Sequence, residues 1–254
     1  MRIDIFMRIF KSSFFFYLFF IPVSLSAWAY RDEILDGALD SENLPLVLEE
    51  MKKFSMDELM AMKNKKGCTI LHLAANKGWV DIVRYFMNSP FYCEYDLGTD
   101  CFIGTPYVIL KDQGGWTALD HAALKGQTEV VRVLLEHPEY LSERAVNSWS
   151  VLFRAAYKGH SELVEFLMRD YSYFINHIDQ FGMTALHFAV LGGSQEVARL
   201  LFSFRPDLAS VETTQPMILR NKEFPPGLTA FGLAQILNST KLSELMYLAP
   251  TERK

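Results

Sequence analysis

One twelve-residue pattern recurs five times in this chain, and recurrence at that scale dictates a stack of similar units in place of a single globular core. Gly67-Cys-Thr-Ile-Leu-His-Leu-Ala-Ala-Asn-Lys-Gly78, Gly115-Trp-Thr-Ala-Leu-Asp-His-Ala-Ala-Leu-Lys-Gly126 and Gly182-Met-Thr-Ala-Leu-His-Phe-Ala-Val-Leu-Gly-Gly193 superpose without a gap. Two weaker copies follow the same register. Ser148-Trp-Ser-Val-Leu-Phe-Arg-Ala-Ala-Tyr-Lys-Gly159 lacks the first Gly, and Gly227-Leu-Thr-Ala-Phe-Gly-Leu-Ala-Gln-Ile-Leu-Asn238 ends in Asn. The Thr or Ser at positions 69, 117, 150, 184 and 229 is placed to cap a helix beginning one residue later. The pairs Ala74 and Ala75, Ala122 and Ala123, Ala155 and Ala156 let helices approach closely. Gly78, Gly126, Gly159 and Gly193 then end the short helix, because Gly accepts the left-handed conformation that reverses the chain. Second helices are expected in Asp81 to Met87, Glu129 to Leu135, Glu162 to Met168 and Glu196 to Phe202. Their apolar residues fall at i, i+1, i+4 and i+5, and an acid opens each.

The pattern resembles the ankyrin repeat, G-x-T-P-L-H-x-A-A-x-x-G, over roughly residues 32 to 250. The family's Pro is missing from all five copies, which carry Ile70, Ala118, Val151, Ala185 and Ala230 in its place. The resemblance implies an all-α repeat solenoid of helix-turn-helix units with β-hairpin loops, about five repeats plus an N-terminal capping repeat. The capping residues step by 48, 33, 34 and 45, against a repeat of about 33. Two insertions are therefore expected, at about 89–111 and 206–226. Residues 30–66, with Ala38, Leu44, Leu46, Val47 and Leu48, read as a degenerate capping repeat, and 67–250 as the repeat domain.

Residues 1–29 have the order of a signal peptide. Arg2, Arg8 and Lys11 precede the apolar run Phe14 to Ile21, then come Pro22 and the small pair Ala27 and Ala29. A run of about ten apolar residues is too short to span roughly 30 Å of hydrocarbon. Cleavage is expected between Ala29 and Tyr30, with export to a periplasmic or secreted location by a route that suits a bacterium. The alternative is a retained membrane anchor over Phe14 to Trp28. The whole chain carries a formal charge of −5, and loss of residues 1–29 makes it −7. That balance argues against a nucleic-acid partner, since counterion release needs clustered cations.

No catalytic constellation is visible. G-x-S-x-G, P-loop, H-E-x-x-H and dinucleotide signatures are absent from the sequence. By resemblance, His72 and His187 stand at the family's structural His, whose ring bonds backbone groups between repeats. Asp120 and His121 are neighbours, but adjacent helical side chains point about 100° apart and form no relay. His137, His160 and His177 read as loop or surface residues. Neither metal nor cofactor is expected: the three cysteines lack the partners of a four-ligand zinc site. Cys93 and Cys101 are spaced to close a short disulfide ring in an oxidising compartment, leaving Cys68 over. The sequon Asn238-Ser-Thr240 reads as chance.

The resemblance implies binding of another protein through hairpin tips and the exposed side of the first helices. Carried over by position, the row before each capping residue is Cys68, Trp116, Trp149, Met183 and Leu228, with Phe181 beside it. Trp116, Trp149 and Met183 are the hot-spot expectation, the alternative being that each Trp lies flat on the neighbouring repeat. Lys77, Lys125 and Lys158, with Tyr157, precede the turn glycines and would form a small basic ladder suited to an acidic partner, the alternative being the family resemblance alone, in which Lys before this Gly is common. The aromatic insertion with Phe91, Tyr92, Tyr95, Phe102 and Tyr107 is a second contact region. The expectation is thus a monomeric, exported, non-enzymatic interaction protein, host-directed or a periplasmic helper. Two rival readings are a thiol redox switch or enzyme regulator acting through Cys93 and Cys101, and a membrane-anchored scaffold.

Overall fold

The computed structural model describes residues 44–88, 109–136, 151–219, 222–237 and 239–247. The leader with Ala29 and Tyr30, the start of the capping repeat, Cys93, Cys101, Trp149, His137, Asn238 and the five aromatic residues of the first insertion lie outside the described residues. The chain forms two compact units, Met1–Ile70 and Leu71–Lys254. The first holds α1 (Leu44–Met51) and α2 (Met56–Ala61). Ser55 starts α2 through a capping box: its hydroxyl accepts from Glu58 N–H at 3.3 Å while the Glu58 carboxylate accepts from Ser55 N–H at 2.9 Å. Val47, Met51, Leu59 and Met62 are the buried apolar residues that give these two short helices their stability.

The repeats follow as helix pairs: α3 (Ile70–Lys77) with α4 (Val80–Met87), α5 (Ala118–Lys125) with α6 (Thr128–Leu135), α7 (Val151–Lys158) with α8 (Ser161–Asp170), α9 (Ala185–Gly192) with α10 (Gln195–Phe204), and α11 (Ala230–Ile236) with α12 (Thr240–Tyr247). Each first helix starts one residue after its capping position. Thr117 shares a capping box with Asp120, Thr184 shares one with His187, and Thr229 accepts from Gly232 N–H at 3.1 Å. At the end of α5, Gly126 takes φ 71° and its N–H reaches back to the carbonyls of Ala122 and Ala123, which turns the chain into α6.

Packing in the second unit follows the apolar periodicity. Ile82, Val83 and Phe86 of α4 are buried, as are Val130, Val131, Leu134 and Leu135 of α6, Leu163, Val164 and Leu167 of α8, and Val197, Ala198 and Leu201 of α10. Each large one contributes about 1.5–3 kcal/mol by leaving water. The first helices meet through their small pairs, Ala122 with Ala123, Ala155 with Ala156 and Ala189 with Val190, all at 2% exposure or less. The most extensive helix pairing is α7 against α9. There a Cβ at Gly192 would lie 2.7 Å from the carbonyl carbon of Tyr157 and nearer still to its oxygen. Gly192 is thus a residue of close approach. The rings of Phe153 and Phe188 stack across the same joint, centroids 4.7 Å apart and planes 16° from parallel.

The turns are stapled from repeat to repeat. His160 lies over Gly126 and donates its Nε2–H to the Leu124 carbonyl at 2.9 Å, so it is a half-buried bridging residue and not the free surface residue expected. The described residues of the second insertion form regular structure. A 3-10 turn at Pro206–Ser210 leads to an antiparallel hairpin, β1 (Met217–Leu219) with β2 (Lys222–Phe224), in which Met217 pairs with Phe224 and Ile218 with Glu223. Met217 and Phe224 point inward at 3% and 2% exposure, whereas Ile218 on the opposite face is 76% exposed. Buried Thr213 closes the base of this insertion: its N–H donates to Leu228 O at 3.0 Å, and its hydroxyl accepts from Leu228 N–H at 3.0 Å. No helix among the described residues is long and apolar enough to cross a membrane.

Candidate protein-binding surface

Three hairpin tips share one device. Asn64, Asp112 and Asp179 each open a tip, and one side-chain oxygen accepts two backbone N–H groups: Lys66 and Cys68 for Asn64, Gly114 and Trp116 for Asp112, Phe181 and Met183 for Asp179. Such Asx-type bonding presets the turn, and the backbone closes it, with Asp112 N–H donating to Trp116 O and Asp179 N–H to Met183 O. The second carboxylate oxygens differ. Oδ2 of Asp112 accepts from His121 Nε2–H at 2.9 Å, whereas Oδ2 of Asp179 is buried and has no hydrogen-bond partner. Burial raises the Asp112 carboxyl, but bonds from the Trp116 N–H, His121 and the Gly114 N–H outweigh it and hold the pKa below the ordinary value. At Asp179 burial wins and the pKa is raised.

The joints between repeats use polar and aromatic chemistry in turn. His72 donates Nε2–H to the Trp116 carbonyl at 3.0 Å, and His187 donates to that of Leu228 at 3.1 Å. Nδ1 of His187 also accepts from the N–H and hydroxyl of Thr184, so both ring nitrogens are used with the ring neutral. Burial lowers the pKa of both histidines, and at His72 the neighbouring His121 lowers it further. In the α5 repeat the family His is replaced by Asp120, and its oxygens are divided between the Thr117 cap and Arg154 of α7, whose Nε lies 2.9 Å away. This ion pair is buried, with side-chain exposures of 9% for Arg154 and 2% for Asp120. The Arg154 guanidinium also sits 4.2 Å from the centre of the Trp116 ring.

These contacts redistribute the expected binding residues. Met183 is buried at 2% exposure, a correction to its place in the interface: Asp179 draws the Met183 N–H inward and takes the side chain into the core. Trp116 is half-buried, with Arg154 on its face and His121 at 5.6 Å between ring centroids, so the ring lies against the neighbouring repeat. Phe181 is half-buried, and its carbonyl accepts from Thr214 N–H at 2.8 Å. Tyr157 is half-buried beside Lys158, and Lys77, Lys125 and Lys158 are exposed. Cys68 is buried, and its thiol is in no disulfide among the described residues.

What the sequence reading missed is a second row. Two residues before each turn stand Asn76, Leu124, Tyr157, Leu191 and Ile236, and the last four give the first-helix side of the second unit an apolar strip. Leu124, Tyr157 and Leu191 are half-buried and Ile236 is 42% exposed. The signal was present, since these positions share the register of Tyr157. The row was masked because leucine in a helix reads as core.

A stack of short helix pairs with hairpin tips, whose side chains lock each repeat to the next, defines a helical repeat protein. The family model for ankyrin repeats (three copies) matches residues 46–145 and 136–212, so the chain belongs to the ankyrin-repeat family. Among solved structures, the crystal structure of EF0377, an ankyrin repeat protein, is similar at a TM-score of 0.55 and 22% identity, covering 84% of this chain and 96% of that one. None of the curated proteins matches this chain. Ankyrin repeats generally mediate protein–protein interaction.

Proposed function

We propose that this chain is an exported, non-enzymatic binding module that holds another protein on the first-helix face of its repeats. The observation that carries the reading is the apolar row Leu124, Tyr157, Leu191 and Ile236, left partly open to water on helices whose other apolar residues, half-buried Phe231 apart, are consumed by stacking. A second observation agrees with it. His72, Asp112 and His187 are tied into joints between repeats and tips, where burial lowers the two histidines and hydrogen bonds lower Asp112, so their shifts need no reacting centre. Export rests on the order of residues 1–29, and the site of action is periplasmic or secreted.

The test is positional crosslinking in the producing cell. A photoreactive residue at Tyr157 or Ile236 is expected to trap a partner, and one at Glu162 of α8, on the acid-bearing second-helix row, is expected to trap none. Equal trapping at both positions, or none at Tyr157 and Ile236, refutes the face. Mass spectrometry of the isolated protein checks export: an N-terminus at Tyr30 is the expected result, and Met1 is the refuting one.

A further inference from the structure

We propose that the segment taken by this face is acidic over one half and apolar over the other; the proposal rests on the protein-binding reading above. The position just before each turn runs Lys77, Lys125, Lys158, Gly192 and Leu237 from first repeat to last. Beside it runs Asn76, Leu124, Tyr157, Leu191 and Ile236. The face is therefore cationic over the first three repeats and uncharged over the last two, with apolar side chains continuing to the end. Acid is missing from it altogether. Asp120 is the one carboxylate in the five first helices, and it is buried against Arg154.

The second helices carry both signs, with Asp81, Glu129, Glu162 and Glu196 exposed and Arg84, Arg169 and Arg199 exposed among them. Within a chain of formal charge −5, the exposed charge on the first helices is positive only. A face with cations and no exposed acid draws an acidic segment to the lysines. Among the described residues Lys125 and Lys158 form no ion pair, and the Lys158 ammonium lies 5.6 Å from the centre of the Tyr157 ring, placing charge next to the apolar row. At about 10 Å per repeat the face is about 40 Å long, which an extended segment of about twelve residues covers. About six of these would meet the lysines with carboxylates, and the rest would lay leucine- or phenylalanine-like side chains over Leu191 and Ile236.

The test is selection of a displayed library of random twelve-residue peptides against the full chain. Synthetic copies of the enriched peptides are then measured by fluorescence anisotropy. Enriched sequences are expected to be net negative with the acids bunched at one end. Lys125→Glu with Lys158→Glu is expected to weaken them by about tenfold or more, and 0.5 M salt by a similar factor, while the thermal transition stays in place. Neutral or basic winners, or acidic winners that bind the lysine variant as well as the parent, overturn the proposal. If such winners still lose affinity to Tyr157→Ala with Ile236→Ala, the protein-binding reading stands and the charge inference alone falls. Failure to enrich any peptide overturns both. Concentration-dependent self-association abolished by the lysine variant overturns the proposal by making the occupant a second copy of this chain.

Discussion

Gly192 and Gly193 are neighbours, both exposed, and replacing each by alanine is expected to destabilise the protein for different reasons. Gly192 is the last residue of α9, without the left-handed backbone of Gly193, so helix propensity alone makes alanine better there by about 1 kcal/mol. Space forbids it. The added Cβ would lie 2.7 Å from the carbonyl carbon and 3.0 Å from Cα of Tyr157, where carbon atoms settle at about 3.5–4.0 Å. These are backbone atoms, so α9 must move away from α7 by about 1 Å to relieve the contact. That movement loosens the Phe153–Phe188 stack and the Ala155, Ala156 and Ala189 contacts beneath it. Overpacking of this kind costs about 1–3 kcal/mol, so Gly192→Ala is expected to be destabilising by up to about 2 kcal/mol net of the propensity gain.

At Gly193 nothing lies within 4 Å of an added Cβ, but φ is +74°, and alanine there pays about 1–2 kcal/mol of backbone strain. Asparagine separates the two causes. It tolerates the left-handed conformation, so Gly193→Asn should recover most of the loss, whereas Gly192→Asn should be worse than Gly192→Ala. Urea unfolding followed by far-UV circular dichroism reads all four variants, with the midpoints compared at fixed slope. A Gly192→Ala protein more stable than the parent refutes the close approach of α7 and α9.

The tips supply a second pair of opposite outcomes: Asp179→Asn removes a buried charge whose Oδ2 has no partner and should stabilise by about 1 kcal/mol. Asp112→Asn should destabilise by a similar amount, because Oδ2 of Asp112 accepts from His121; like signs in chemical denaturation would break the argument. Arg154→Met strands the buried Asp120 carboxylate and is expected to cost about 3 kcal/mol, at the low end of such losses because the Thr117 cap still serves Asp120. Asp120→Asn in that background should return part of it, and a single variant within 0.5 kcal/mol of the parent refutes the pair. Stability should also fall in mild acid. His72, His177 and His187 have pKa values lowered by burial, so the unfolded chain binds more protons, and their stabilisation, complete above about pH 6.5, is lost as pH falls from there through the lowered folded values. The carboxyl of Asp112, itself held low, titrates in stronger acid; a urea midpoint unchanged between pH 7.5 and 5 refutes the histidine account.

The helix starts were legible because a capping Thr and a turn Gly act locally, and the first helices begin at Ile70, Ala118, Val151, Ala185 and Ala230 as those residues demand. The tips were less so. The residue before each cap was read as displayed, yet the aspartate four residues ahead of Met183 pulls that strand inward, and Trp116 is taken up by an arginine 38 positions later in the chain. Asp120 was weighed only against its neighbour His121, whereas its partner Arg154 comes from the next repeat at a separation no local pattern encodes. Strands β1 and β2 span three residues each, too short for period-two alternation to rise above an insertion rich in Pro and Thr.

Each joint of the second unit does one job with different chemistry. His72 donates to Trp116 O, Asp120 pairs with Arg154, Phe153 stacks on Phe188, and His187 donates to Leu228 O. Stacking thus fixes the register while tolerating wide variation at the joint position itself. The position before the turn is freer still in four of the five repeats, where Lys77, Lys125, Lys158 and Leu237 occupy it. A position that the stack leaves open, yet that carries lysine three times over with no acid beside it on the first helices, answers to something outside the stack. Gly192, the one member of that row under packing constraint, stands where the charge ends. The close α7–α9 joint it permits is what brings Tyr157 and Leu191 into one continuous row.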